Sequence, residues 1–476
     1  MPTTQPMSSA DAAWLHMDQP TNLMVVTAAI WFDETPDWAR VREILQTRLV
    51  DPYPRFHQRV VEGRRPLSGP HWEEDLNFDI DLHLHRVALP APGDRDALQA
   101  LVADLMATPL DRSKPLWQFH FVDGYGEGAA IVGRLHHCIA DGIALSRVLL
   151  SLTDEAPDAG IAPAEPERGP SAGHGVLGSL LHPVGRALGI ARDATGAIVH
   201  EAVEVARHPE EELTDLASTA REDVSALAKV LAPGADTPSA LKGELGIAQR
   251  VAWSAPIPLD DVKSMGHATG TTVNDVVLTA VSGALRQYLR ARDALVEDLT
   301  AFVPFNLRPL DRPLAPELGN RFGLVFLRLP IGTGNRRRRL REVHDRMEKI
   351  KHSPEGAISY GVLGAVGRTP VELEQRLVEL FSAKATAVMT NVPGPRQPVY
   401  LAGTPVRGVL VWAPCSGSVG MSVAIFSYAG EVTIGLMADA GLVPDPEAII
   451  TAFEREIAAM GRLKGVGSSP AAEDAA

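Results

Sequence analysis

The sequence predicts an α/β protein made of two lobes of mixed strand and helix with a connector between them. Three observations carry this. The 476 residues exceed what one compact core usually holds. Strand-like and helix-like periodicities alternate both before Asp154 and after Gly246. Between those stretches the composition changes: thirteen of the twenty residues from Ala156 to Gly175 are Ala, Gly or Pro, a segment with little to bury. The expected limits are a first lobe over 1–154, a linker over 155–245, a second lobe over 246–465 and a flexible tail over 466–476. No short-period internal repeat is present.

In the first lobe LMVVTAAIWF reads as a buried strand, and WARVREILQTRLV spaces its apolar residues as a helix does. ALQALVADLMATPL is a second helix, followed by the strands WQFHFVDG and AAIVGRLHH. The loop CIADG then leads into the helix IALSRVLLSLTD. Leu177, Leu180, Leu181, Val184 and Leu188 recur at three and four, so residues 176–232 read as a helical bridge interrupted at Pro183. The second lobe begins with the strand IAQRVAWSAPI. Its helices are Val273 to Ala291, Arg337 to Lys351 and Pro446 to Met460. Its strands are LTAFVPFNL, LVFLRLPI, GVLVWAPC, GMSVAIFSYAG and EVTIGLMAD.

Composition narrows the function. A net charge of −14 makes nucleic acid a poor partner for the surface as a whole. Two cysteines, Cys138 and Cys415, can form neither a disulfide scaffold nor a four-cysteine zinc site, which fits a reducing, cytosolic setting. The N-terminus lacks the basic and apolar regions of a secretion signal. No apolar run reaches the length of a membrane-spanning helix, which leaves a chain able at most to sit on a membrane.

Reactive groups are densest in Leu135-His136-His137-Cys138-Ile139-Ala140-Asp141-Gly142, at a strand-to-helix turn. Neighbouring strand residues point to opposite faces, so one histidine of the pair enters a given cleft. That geometry disfavours a metal held by both rings and a Cys138 thiolate activated by His137. No HExxH helix or Walker loop exists. The GxSxG elbow is also missing, since Ser416 stands two before Ser418. General-base chemistry by a histidine fits best. Gly142 is expected where a Cβ would crowd the turn. On the helix from Val273, positions 273, 276, 277, 280, 281, 284, 285 and 288 form an apolar arc. Asn274 falls inside that arc and Asp275 outside it. A buried amide there either caps backbone or donates to a substrate oxygen near the positive helix end. Pro115-Leu116-Trp117 reads as a rigid lead into a strand with an indole to bury. Arg336 to Arg339 with Arg341 begin an amphipathic helix whose arginines are expected to face mostly outward.

HHCIADG matches the HHxxxDG signature of CoA-dependent acyltransferases, and the wider pattern resembles the bacterial wax ester synthase/diacylglycerol acyltransferase family. The marks are SSADAAWL at the start, LDRSKPLWQ at 110–118, LSRVLL after the signature and TVNDVVL at 272–278. LGN at 318–320, TNVPGP at 390–395 and YAGEVTIGLMAD complete the series. The resemblance implies two chloramphenicol-acetyltransferase-like lobes and an acyl-CoA-dependent O-acyltransferase acting on diacylglycerol, a long-chain alcohol or both. It implies that His137 is the general base, that His136 supports the turn, and that Asp141 braces the loop through an arginine, for which Arg308 is the candidate. Asn274, with Asp275, becomes a candidate substrate contact, and Asn391 to Pro395 a loop at the cleft or lobe crossover. Acyl-CoA is the expected co-substrate, with no cofactor and no metal. The lipid products imply peripheral contact with the cytoplasmic face of a membrane or with lipid inclusions. The alternatives are transfer to another hydroxyl or an amine, or a catalytically silent lipid-binding protein of the same fold.

Overall fold

The computed structural model describes residues 4–63, 69–162, 234–308, 314–353, 355–366 and 371–462. The helical stretch expected over 176–232 and the tail over 466–476 lie outside them. The first part of the chain runs β1 (Thr4–Pro6), α1 (Ser9–His16), β2 (Val25–Phe32), α2 (Trp38–Leu45), β3 (Gln58–Val61), β4 (His71–Glu74), β5 (Leu84–Ala88), α3 (Arg95–Met106), β6 (Trp117–Tyr125), β7 (Gly128–His136) and α4 (Gly142–Ser151). The rest continues β8 (Gln249–Trp253), β9 (Ile257–Pro258), α5 (Leu259–Thr269), α6 (Val273–Arg290), β10 (Leu299–Asn306), β11 (Phe322–Leu329), α7 (Arg336–Lys351), α8 (Glu355–Val366) and α9 (Val371–Ser382). It closes with β12 (Ala387–Pro393), the short pair β13 (Tyr400–Leu401) and β14 (Thr404–Pro405), then β15 (Gly408–Trp412), β16 (Met421–Tyr428), β17 (Glu431–Asp439) and α10 (Pro446–Gly461).

Each lobe holds one large sheet. The first has the order β15-β2-β7-β6-β5, and the second β11-β10-β12-β16-β17-β8 with β9 beside β17. β7 sits at the centre of the first sheet and is buried over all nine residues, which its run of Ala, Ile, Val and Gly permits. At Gly133 a Cβ would stand 2.8 Å from the Phe119 ring, so glycine makes room for an aromatic neighbour. Trp117 is fully buried and its indole N–H donates to Phe56 O at 2.8 Å. It is core packing, satisfied at its polar end.

One strand does not stay in its own half of the chain. The reading of the sequence put GVLVWAPC in the second lobe, yet β15 pairs antiparallel with β2, Gly408 opposite Trp31 and Trp412 opposite Thr27. The chain leaves β12, crosses to complete the first sheet, and returns to the second as β16. Alternation alone cannot distinguish these sheets, because a strand's pattern says which faces are buried and not which edge it joins.

α7 turns Arg337, Arg338 and Arg341 outward, as expected, but not the whole run. Arg339 is 1% exposed; its Nη2 meets Glu456 Oε2 at 2.5 Å, and Arg336 grips the same carboxylate. Arg338 pairs with Glu342 on the helix surface. The run of arginines is therefore partly an internal tie between α7 and α10. Gly283 on α6 leaves the space: a Cβ there would lie 2.5 Å from Arg339 Nη2.

Candidate active site

β7 delivers the two histidines to the junction of the lobes. His137 N continues the ladder by donating to Met24 O at 2.7 Å, and Ile139 N closes the turn on His136 O at 3.0 Å. His136 is 2% exposed and its Nδ1 accepts from Cys138 N at 3.1 Å. Its Nε2 stands 3.9 Å from Asp18, which also binds Arg112. His136 thus braces the turn from the sheet side. Burial raises the Cys138 thiol well above its ordinary range, which keeps it out of thiolate chemistry.

Asp141 ends the turn and starts α4. Its Oδ1 caps the helix by accepting from Ala144 N at 2.8 Å, as an aspartate N-cap does. Its Oδ2 accepts from Arg308 Nη2 at 3.0 Å and from Arg321 N at 2.9 Å. Arg308 supplies the guanidinium and reaches on to Leu318 O and Gly319 O. Gly319 N returns a bond to Ile139 O at 3.0 Å. Second-lobe residues therefore wrap a first-lobe turn. Gly319 takes a φ of +75°, a conformation open to glycine at no steric cost. Gly142 departs from expectation: a Cβ there would meet nothing within 4 Å. It is the first residue of α4 beyond its cap, and no crowding demands a glycine.

The His137 ring leaves this scaffold on the other side. It stacks on Trp14 at a centroid distance of 4.3 Å and 19°, with Phe322 5.5 Å away. Trp14 comes from α1, whose N-terminus is capped by Ser8, and Phe322 opens β11. Burial in this aromatic slot pushes the imidazole down to about 4, because a low-polarity site disfavours the cation. The residue's own main-chain carbonyl, Asp141 and Asn320 work against that, and too weakly to reverse it. At neutral pH the ring is the free base.

Trp14 and Phe322 also form part of the wall of a partly open pocket. Its other sides come from β11, α8 and α9, notably Leu324, Val362, Leu377 and Phe381. α8 approaches β11 closely there, since a Cβ on Gly323 would lie 1.7 Å from Gly356 O. The lining is almost entirely apolar, with Ser359 and Ser416 as its hydroxyl residues.

The second pair of candidates sits apart from this cluster. Asn274 is 5% exposed and its Oδ1 accepts from Asn391 Nδ2 at 3.0 Å, which joins the α6 start to β12; Asn391 to Pro393, expected in a loop, are the end of that strand. Asp275 was expected off the buried arc, and instead it is fully buried. It forms a reciprocal capping box with Thr272 and bonds His344 Nδ1 on α7 at 2.8 Å. Capping and the packing of α7 override the helical arc, so Asp275 braces the helix start. Among the described residues, no hydrogen bond or ring contact links Asn274 or Asp275 to His137. Residue-by-residue reading gave no role to Asp11, Trp14, Asn320 or Phe322, all of which gather around His137. α1 is buried from Ala10 to Leu15, so its periodicity marks no face.

The chain matches known proteins over nearly all of its length. Residues 7–277 match the wax ester synthase/diacylglycerol acyltransferase catalytic domain, and residues 318–461 the C-terminal domain of the same family. A Mycobacterium tuberculosis (strain ATCC 25618 / H37Rv) protein named as a probable diacylglycerol O-acyltransferase is 30% identical over 462 residues, 95% of each chain. Among solved structures, the wax ester synthase/diacylglycerol acyltransferase from Marinobacter aquaeolei VT8 superposes with a TM-score of 0.68 at 23% identity, covering 97% of this chain and 100% of that one. The first condensation domain of the calcium-dependent antibiotic synthetase gives 0.58 at 16% identity, over 97% and 96% of the two chains. The two sheets joined by a crossing strand are thus a fold shared with condensation domains. With both of its domains matched in order, the chain belongs to the wax ester synthase/diacylglycerol acyltransferase family and is an acyltransferase.

Proposed function

We propose that the chain transfers a long acyl group from acyl-CoA to the hydroxyl of diacylglycerol or of a long-chain alcohol, with His137 as general base. The observation that carries this is an imidazole buried in an aromatic slot whose walls, Trp14 and Phe322, also bound a largely apolar pocket. His137 takes the alcohol proton as the oxygen attacks the thioester carbonyl. The new O–C bond forms, the C–S bond breaks, and the imidazolium returns the proton to the departing thiolate, so no acyl-enzyme arises. A ring this deeply desolvated is a weak base when the site is unfilled. Negative charge developing on the attacked carbonyl raises its proton affinity when it is needed.

The cavity takes the acyl chain in this reading, since its lining is largely apolar. Asn274 is the proposed donor to the thioester oxygen or the pantetheine amides. Its carbonyl accepts from Asn391, an arrangement that turns its own NH₂ away from that partner. No metal or prosthetic group takes part. No helix among the described residues is long and apolar enough to cross a membrane, and the lipid substrates are met by peripheral contact with a membrane or lipid inclusion.

The test is free-thiol release from palmitoyl-CoA with dioleoylglycerol or hexadecanol, for the wild type and a folded His137→Ala. Alcohol-dependent release that disappears in the variant supports the reading, and the better acceptor separates glycerolipid from wax synthesis. Full activity in His137→Ala overturns the mechanism. Acyl-CoA binding without release on any hydroxyl or amine acceptor identifies a silent lipid-binding protein.

A further inference from the structure

Asn320 lies where the two lobes meet and is 4% exposed. Its Nδ2 donates to Asp11 Oδ1 at 2.8 Å and to His137 O at 2.8 Å. Its main-chain N–H donates to the same Asp11 oxygen at 3.0 Å. One buried carboxylate oxygen thus accepts from both the main-chain and the side-chain nitrogen of Asn320, and the other oxygen of that carboxylate accepts from Ser8 Oγ at 2.6 Å. The side-chain amide cannot be reversed, because its oxygen would then face two acceptors.

We propose that Asn320, held by Asp11, is a positioning residue that fixes the His137 peptide plane and, through it, the seat of the ring on Trp14. The inference rests on His137 being the base. If the carbonyl plane swings, the ring's seat against Trp14 is lost. Asp11 and Trp14 lie on one helix, α1, so the same element sets the peptide and the ring. Asn320 belongs to the second lobe and His137 to the first. The base is therefore set only when the lobes are docked.

The test compares Asn320→Ala, Asn320→Asp and the exchange Asn320→Asp/Asp11→Asn in the full chain. Turnover, KM and unfolding temperature are read together with the ¹⁵N spectrum of histidine-labelled protein, the His137 signals being assigned by their loss in His137→Ala. Both single variants are expected to lose about 100-fold in kcat with little change in KM, the scale of a misplaced catalytic group, and to shift the His137 ring signals. The exchange restores a donor–acceptor pair between positions 11 and 320 but no donor to the His137 carbonyl. It is expected to recover unfolding temperature without recovering kcat, whereas a purely structural role would recover both and overturn the proposal. Wild-type turnover and unchanged His137 ring signals in folded Asn320→Ala would also overturn it. Retained activity in His137→Ala would remove the base reading, while the His137 ring signals would still report on Asn320.

Discussion

Asp141→Asn separates bracing from catalysis. The Asp141 and Arg308 side chains are 2% and 7% exposed and 3.0 Å apart. Asparagine keeps an oxygen for Ala144 N and caps about as well as aspartate, so the helix start is spared. What disappears is the charge facing a buried guanidinium. Breaking a buried pair from one side costs about 3–5 kcal/mol, a large share of the ~5–15 kcal/mol that holds an ordinary domain together. At roughly 2–4 °C per kcal/mol for domains of this size, the unfolding temperature should fall by about 6–20 °C. Scanning calorimetry at fixed pH measures this, alongside the yield of folded protein and thiol release per folded molecule. Removing the stranded cation as well, in Asp141→Asn/Arg308→Gln, should recover part of the loss. An unchanged unfolding temperature with turnover abolished would refute the brace and move Asp141 into the chemistry.

Acidity should act on this protein through its histidines. His137 and His120 are both pushed down to about 4 by burial, so the unfolded chain, with histidines near 6.5, binds protons first. Stability is expected to be full above pH 6.5 and to fall as pH drops towards 4. His16, held between Glu374 and Glu62 and raised to about 9, acts in the opposite sense, stabilising below 6.5 and losing its effect through 9; unfolding temperatures between pH 4 and 10 should peak between these limits. The acid limb of kcat/KM should likewise lie near 4, and a limb at 6–7 would contradict the desolvated ring. Val378→Phe adds bulk to the cavity wall and should lower kcat/KM for palmitoyl-CoA more than for octanoyl-CoA; equal effects on both chain lengths would place the acyl group elsewhere.

The hydrophobic periods of β2, β6, β7, α3 and α4 are strong enough to place those elements from the sequence. HHxxxDG stands out because reactive groups crowd a turn. Asp141 and Arg308 could be paired only through the resemblance, since their 167-residue separation leaves no local pattern. Asp275 shows the opposite limit. A helical wheel assigns it to solvent, but a capping box and a neighbouring helix bury it. Arg339 escaped for the same reason, as its partner Glu456 lies 117 residues on. Trp14 and Asn320 had sequence marks in SSADAAWL and LGN without a chemistry attached. What they do depends on a contact between lobes, which no single stretch of sequence encodes.

The crossing strand β15 has a consequence for how the chain is made. Gly408 pairs with Trp31, a partner that leaves the ribosome 377 residues earlier. At about 5–20 residues per second, β2 waits roughly 20–75 s for its neighbour. Throughout that time its outer edge, carrying the nearly all-buried run VVTAAIWF, has unpaired backbone groups that invite other strands. The first lobe is therefore early in sequence but late in folding. A fragment ending at Asp154 would carry the whole HHxxxDG turn on a sheet that lacks its edge, and such a nascent chain is a natural client for chaperones.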